Sequence, residues 1–131
     1  MKVYLAAFKL NNKIAYKIGH TKWFKVIKRF EDVQYDIFDD IIILGEILIN
    51  DPDPVLARKL TRVVEATLQA VYPKNFRLEE HFRMPDNTFN GLSGITEMFI
   101  TDKDVEEIQS LFERASRNVQ QVLNDKRYIS E

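Results

Sequence analysis

Cysteine is absent from the 131-residue chain, which excludes a disulfide framework and thiolate-held zinc and fits a reducing compartment. The two histidines, His20 and His81, are too few for a histidine-based metal site. Four glycines and four prolines leave little room for disordered linkers. The longest apolar run, Ile41 to Leu44, falls far short of the roughly 20 residues that span a bilayer. Met1-Lys2-Val3-Tyr4 opens a strand-like pattern at once, without the apolar h-region or small-residue cleavage site of a signal peptide. Together these absences predict a cytoplasmic protein with no membrane partner. The hydrophobic fraction of 45% and charged fraction of 30% are ordinary for one globular domain spanning residues 1–131.

Acidic residues are missing locally. Residues 1–30 hold Lys2, Lys9, Lys13, Lys17, Lys22, Lys25, Lys28 and Arg29 and no Asp or Glu, so all 20 acidic residues of a chain with net charge -1 lie in the remainder. That asymmetry fits a local anion-binding surface of the kind a phosphate backbone needs. It fits equally a set of lysines that only solvate edge strands and a helix face.

Residues 2–9 and 13–19 are strand-like, and Asn11-Asn12 between them tolerates the positive φ of a tight hairpin. A two-residue turn there pairs Leu10 with Lys13, Ala6 with Lys17 and Tyr4 with Gly19. Tyr4, Ala6, Phe8, Ala15, Lys17 and Gly19 then share one face. The opposite face, with Val3, Leu5, Ala7, Ile14, Tyr16 and Ile18, is greasier and is expected to be the core.

A short helix is predicted from about Lys22 to Phe30, with Trp23, Val26, Ile27 and Phe30 inward and Lys22, Lys25, Lys28 and Arg29 outward. Trp23 therefore reads as a core residue and not as a base-stacking platform. Residues 41–49 read as a central strand. Asp53-Pro54 signals a helix start, and that helix should run to about Tyr72, with Leu56, Leu60, Val63, Val64, Thr67, Leu68 and Val71 as its apolar stripe. Glu65 faces away from the stripe's start with Arg58, Thr61, Arg62 and Gln69. Residues 73–95 look irregular, Glu97 to Ile100 form a short strand, and Thr101 with Asp104 resembles a capping box for a last apolar-striped helix over about 101–124.

Several of these residues, in order, resemble the GIY-YIG nuclease superfamily. They are Val3-Tyr4-Leu5 on a first strand, Tyr16-Lys17-Ile18-Gly19-His20-Thr21 on a second, a basic segment ending in Lys28-Arg29, Glu65 on a later helix, and Gly94-Ile95-Thr96-Glu97-Met98-Phe99. The resemblance is to the phage-type branch whose second motif is Tyr-Lys-Ile-Gly-x-Thr, and it covers roughly residues 2–100. It implies an α/β fold with a three-stranded, mainly antiparallel sheet flanked by helices, to which the C-terminal helix is added. It also implies hydrolysis of a DNA phosphodiester with Mg²⁺ or Mn²⁺ held by one helical glutamate, a hard cation that keeps most of its waters.

On this resemblance Tyr4 is the water-activating tyrosine, Glu65 the metal ligand and Arg29 the phosphate-stabilising arginine. Three departures stand out. The first motif lacks its glycine and isoleucine. Lys17 occupies the position usually held by tyrosine, on the Tyr4 face, where it would touch the scissile phosphate or lower the tyrosine pKa. Arg29 comes later than usual, with Ile27 at the more typical spacing. Lys22, Lys25 and Lys28 are expected to line the DNA surface, His20 to bind phosphate or cap the adjacent helix, and Glu97 to be structural. Two other functions remain open: a decayed domain that binds DNA or a protein, and an interaction domain whose last helix pairs with a second copy as a homodimer.

Overall fold

A computed structural model describes residues 1–70 and 77–129, with side chains to Val122. Strands β1 (Lys2–Leu10) and β2 (Lys13–Thr21) form the hairpin, with Asn11 at φ 52° and Asn12 at φ 61°, the two left-handed residues that a turn matched to strand twist requires. Its register is the expected one: Tyr4 opposite Gly19, Ala6 opposite Lys17, Leu10 opposite Lys13.

The sheet has four antiparallel strands and not three, in the order β3-β1-β2-β4. Strand β3 (Asp40–Leu48) pairs with β1 through a register shift after Leu5, which makes it an edge strand and β1 a central one. Strand β4 is only Met98–Phe99, and it pairs with Lys17 and Tyr16 of β2.

Both faces of the hairpin are buried. Tyr4, Ala6, Phe8 and Ala15 pack under an aromatic cluster that includes Phe30, Tyr35, Phe38, Phe82 and Phe89, with Phe8 edge-on to Phe30 at a 5.2 Å centroid separation, the geometry that the ring quadrupoles favour. Val3, Leu5, Ala7, Tyr16 and Ile18 pack on the other side against Val64 and Leu68 of α1 (Pro54–Gln69) and Ile108 and Phe112 of α3 (Val105–Ile129). A single core on the second face underestimates the aromatic content of residues 24–38 and 82–89, which is what covers the first face.

The helix expected over 22–30 is reduced to a 3-10 turn, Val26–Phe30, preceded by a loop. No side chain caps it and its first turn has no acidic residue, while the Thr21 hydroxyl draws the Trp23 amide into a tight turn at 3.1 Å. Val26 and Phe30 are buried, but Trp23 is 49% exposed and Ile27 is also exposed, so Trp23 is not a core residue.

Helix α1 starts where expected, with Asp53 accepting from the Val55 amide at 3.0 Å. Val71, Tyr72 and Pro73, the expected end, lie outside the described residues. Its buried positions are Ala57, Thr61, Val64 and Leu68, and Val63 is exposed. The helix is thus rotated from the largest aliphatic stripe toward its small side chains, and the Thr61 hydroxyl is satisfied by the Ala57 carbonyl at 2.7 Å. This rotation carries Glu65 and Gln69 toward the sheet, where Gln69 Nε2 donates to the Ile18 carbonyl at 2.8 Å.

Within the irregular stretch lies the one-turn helix α2 (Leu78–Phe82), closed by Arg83 in the left-handed region. Helix α3 begins at Val105, because it is Asp104, accepting from the Glu107 amide at 2.8 Å, that caps it. The Thr101 hydroxyl serves the Lys103 amide instead. Among the described residues no helix is long and apolar enough to cross a membrane.

Candidate active site

The register of β1 and β2 places Tyr4 across from Gly19, and this pairing needs glycine for a steric reason. A Cβ on Gly19 would lie 2.6 Å from the Tyr4 hydroxyl oxygen, inside any tolerable contact. Tyr4 is fully buried, and among the described residues its hydroxyl is the buried side-chain polar atom that has no hydrogen-bond partner. Leaving such a group unpaired costs about 1–3 kcal/mol, and a buried orphan of this kind is a marker of a site or of a missing ligand group. Burial pushes its pKa well above the usual tyrosine value, while the nearby Arg29 charge pulls it down and Glu97, Tyr35 and Glu65 push it up. Tyr4 is therefore a neutral hydroxyl in the resting protein.

Lys17 is 3% exposed and sits on the same face. Its ammonium lies 5.8 Å from the ring centroids of both Tyr4 and Phe30 and 3.6 Å from Glu97 Oε2. Burial lowers its pKa and Arg29 lowers it further, whereas Glu97 and Glu65 raise it. The chain makes room for this buried lysine at Gly94. There φ is +78°, and a Cβ would collide with the end of the Lys17 side chain. Gly94 also starts the 3-10 turn Ile95–Glu97, which swings Glu97 onto the ammonium. Glu97 is thus part of the site's charge balance, and the signal for it was the Gly94-Ile95-Thr96-Glu97 string.

Glu65 approaches from α1. Its Oε2 is 2.5 Å from His20 Nδ1, with the carboxylate side chain 12% exposed and the histidine open to solvent. His20 is therefore neither a helix cap nor buried. It is the partner of the carboxylate that the family resemblance assigns to the metal.

Arg29 donates to the Tyr35 hydroxyl at 3.2 Å and to Ser93 Oγ at 3.1 Å, so two loops hold it with its charge felt at Tyr4 and Lys17. Ile27 is an exposed apolar residue that supplies no such charge. Lys22, Lys25 and Lys28 are exposed and lie on the segment joining His20 to Arg29. Arg29, Glu65 and Glu97 thus come from a 3-10 turn, α1 and the β4 approach to set the electrostatics at Tyr4 of β1, with Lys17 of β2 beside its ring.

Among the described residues no group of three or more His, Cys, Asp or Glu is placed to hold a metal ion. What remains are two carboxylates, Glu65, 12% exposed and in contact with His20, and Glu97, paired with Lys17. This set fits a hydrated hard cation, which needs only one or two protein carboxylates, and it does not fit a dedicated zinc or calcium site, which takes at least three protein donors.

The sign of the Tyr4 shift gives a stability prediction. A hydroxyl that stays protonated when folded but ionises near its ordinary value of 10 when unfolded contributes stability below pH 10 that is lost as the pH rises above it. Tyr4→Phe should therefore unfold less steeply than wild type between pH 10 and 11, as read by denaturant midpoints. Equal slopes would mean the hydroxyl is accessible in the native state. Comparison of the chain with family models, with curated proteins and with solved structures gives no match.

Proposed function

We propose that this chain is a metal-dependent DNA endonuclease or nicking enzyme of GIY-YIG type, acting inside the cell with Mg²⁺ or Mn²⁺. The observation that carries the reading is the buried, unpartnered Tyr4 hydroxyl beside a buried lysine, whose ammonium lies 5.8 Å from the Tyr4 ring and 3.6 Å from Glu97, with the charges of Arg29 and Glu65 felt at Tyr4. Composition gives no reason for a core to bury a lysine, orphan a hydroxyl and reserve two glycines for their clearance. A site that must bind a phosphodiester and move a proton gives one. Arg29 and Lys17 balance phosphate charge, and Tyr4 orients the attacking water through its hydroxyl. Lys17 stays the ammonium that its ion pair with Glu97 requires. A divalent cation on Glu65, when bound, supplies Lewis-acid stabilisation of the leaving oxygen.

Tyr4→Phe tests this with the fold left intact, because it removes an unpaired buried hydroxyl and should leave stability equal or slightly higher. Nicking of supercoiled DNA should fall by about 100-fold, the scale of a lost proton-handling group. Undiminished nicking would remove Tyr4 from the chemistry.

The closure of Tyr4 and the Lys17–Glu97 pair favours a second reading, a decayed domain that binds DNA without cutting it. Wild type that binds but never nicks in Mg²⁺ or Mn²⁺ selects that reading.

The DNA partner is tested separately on the exposed lysines. Lys17 is buried, so the surface set is Lys22, Lys25 and Lys28. Replacing all three with alanine should weaken binding to any DNA sequence about equally. The slope of log K against log salt should flatten by about 0.9 for each phosphate that is no longer neutralised. An unchanged slope would place the DNA elsewhere.

A further inference from the structure

We propose that the loop Lys22-Trp23-Phe24-Lys25 is a stacking platform for unpaired bases, so that this site prefers single-stranded or frayed DNA, including the unpaired stretches of supercoiled DNA, to continuous duplex. The inference deepens the DNA-cleaving reading and rests on its choice of nucleic acid as partner.

Trp23 is 49% and Phe24 84% exposed, and Ile27 lies exposed just beyond them. Adjacent exposed aromatics are unusual here, because the other aromatic rings among the described residues are largely packed into the two cores. Failure to fold does not account for them, since the loop is held at each end. The Thr21 hydroxyl accepts from the Trp23 amide at 3.1 Å, and Lys2 Nζ donates to the Phe24 carbonyl at 2.6 Å while also pairing with Glu46 at 3.2 Å. The backbone is thus fixed and the rings are directed outward. Lys2 Nζ stands 4.8 Å from the centroid of the Phe24 ring, which constrains that ring further.

What surrounds the rings identifies the occupant. Lys22 and Lys25 flank them and Lys28 follows, in a segment that contains no acidic residue before Glu31. Phe24, Lys25 and Ile27 line an open groove of about 380 Å³ with Lys2, Ile43 and Glu46. Aromatic faces alternating with cations match a polymer of flat bases on a phosphate chain, in which each base stacks and each phosphate pairs. An all-apolar partner would leave the lysines without counter-charges, and duplex DNA keeps its base faces inside. The position is also suitable. Lys2, which anchors the loop, is two residues from Tyr4 on β1, about 7 Å along the strand, and the loop runs between His20 and Arg29.

Trp23 is the single tryptophan of the chain, so its emission reports stacking directly. Wild type is titrated in EDTA with a thymine oligonucleotide, with a duplex of equal length and with anionic phosphatidylserine vesicles, following both Trp23 emission and ligand anisotropy. The expected result is quenching by the single strand, tighter binding to it than to duplex, and a loss of about 5-fold or more in single-strand affinity on Phe24→Leu, with duplex affinity changed less than about 2-fold. Trp23→Leu, followed by anisotropy, should behave alike. Both side chains are exposed, so unchanged melting temperatures are expected to accompany these losses. Binding without any change in Trp23 emission, equal losses for single strand and duplex, a response to vesicles alone, or no binding to any ligand would each overturn the proposal. Because EDTA removes the cation, a protein that quenches but never cleaves would fail as a nuclease and keep the platform.

Discussion

A chain ending at Thr101 is expected to lose its cooperative unfolding transition, because α3 completes one of the two cores. Ile108 and Phe112 are fully or almost fully buried and close the face formed by Val3, Leu5, Ala7, Ile18 and Ile47. Burying each such side chain contributes about 1.5–3 kcal/mol, and uncovering their partners removes as much again, against a total stability of about 5–15 kcal/mol for a domain. A finer version uses Gly45, whose absent Cβ is what admits the Phe112 ring. A Cβ there would lie 2.6 Å from Phe112 Cδ1. Gly45→Ala should cost about 1–3 kcal/mol by overpacking and Phe112→Ala about 3–5 kcal/mol by leaving a cavity. The double variant should cost less than the sum, since the new methyl enters the space the ring has left. Additive losses in denaturant unfolding would show that the ring and Gly45 do not meet. Undiminished stability of the truncated chain would place α3 on a partner, as a homodimer through that helix requires.

The hairpin was legible in the sequence because one local device determines it. Two asparagines that accept positive φ fix the turn, and the turn fixes which residues face one another, so Tyr4, Lys17 and Gly19 came onto one face by counting alone. The start of α1 was legible for a similar reason, Asp53 and Pro54 being suited to the unpaired amides of a first turn. What escaped depended on contacts between distant segments. The rotation of α1 is set by how closely Ala57 and Thr61 let it approach the sheet, and this moved Glu65 from an outward face to the edge of the site. The 22–30 segment has helical spacing without a helical cap, and the Thr21 turn wins. This is why Trp23 lies outside and the lysines are carried by a loop. Glu97 was undervalued because its partner Lys17 is 80 positions away, and only the Gly94 turn joins them. Strand β4, Met98–Phe99, falls within the short strand expected over Glu97 to Ile100, and what escaped was its pairing with β2.

Glu65→Gln carries the largest functional effect. The substitution keeps the size of the side chain and leaves an oxygen able to accept a hydrogen bond from His20, so the fold and the α1 position should persist. What disappears is the negative charge, and on the proposed reading the Mg²⁺ loses the carboxylate assigned to it, Glu97 lying 3.6 Å from Lys17. DNA affinity should stay equal or rise, because a negative charge has left the surface proposed to bind phosphate. The decisive measurement is the single-turnover rate of Mg²⁺-dependent nicking of supercoiled DNA by wild type and Glu65→Gln, with DNA binding followed in parallel. Nicking by wild type that falls to background in Glu65→Gln, with binding retained, is the predicted result; nicking that persists in Glu65→Gln would contradict the site, and its absence from wild type would contradict the activity.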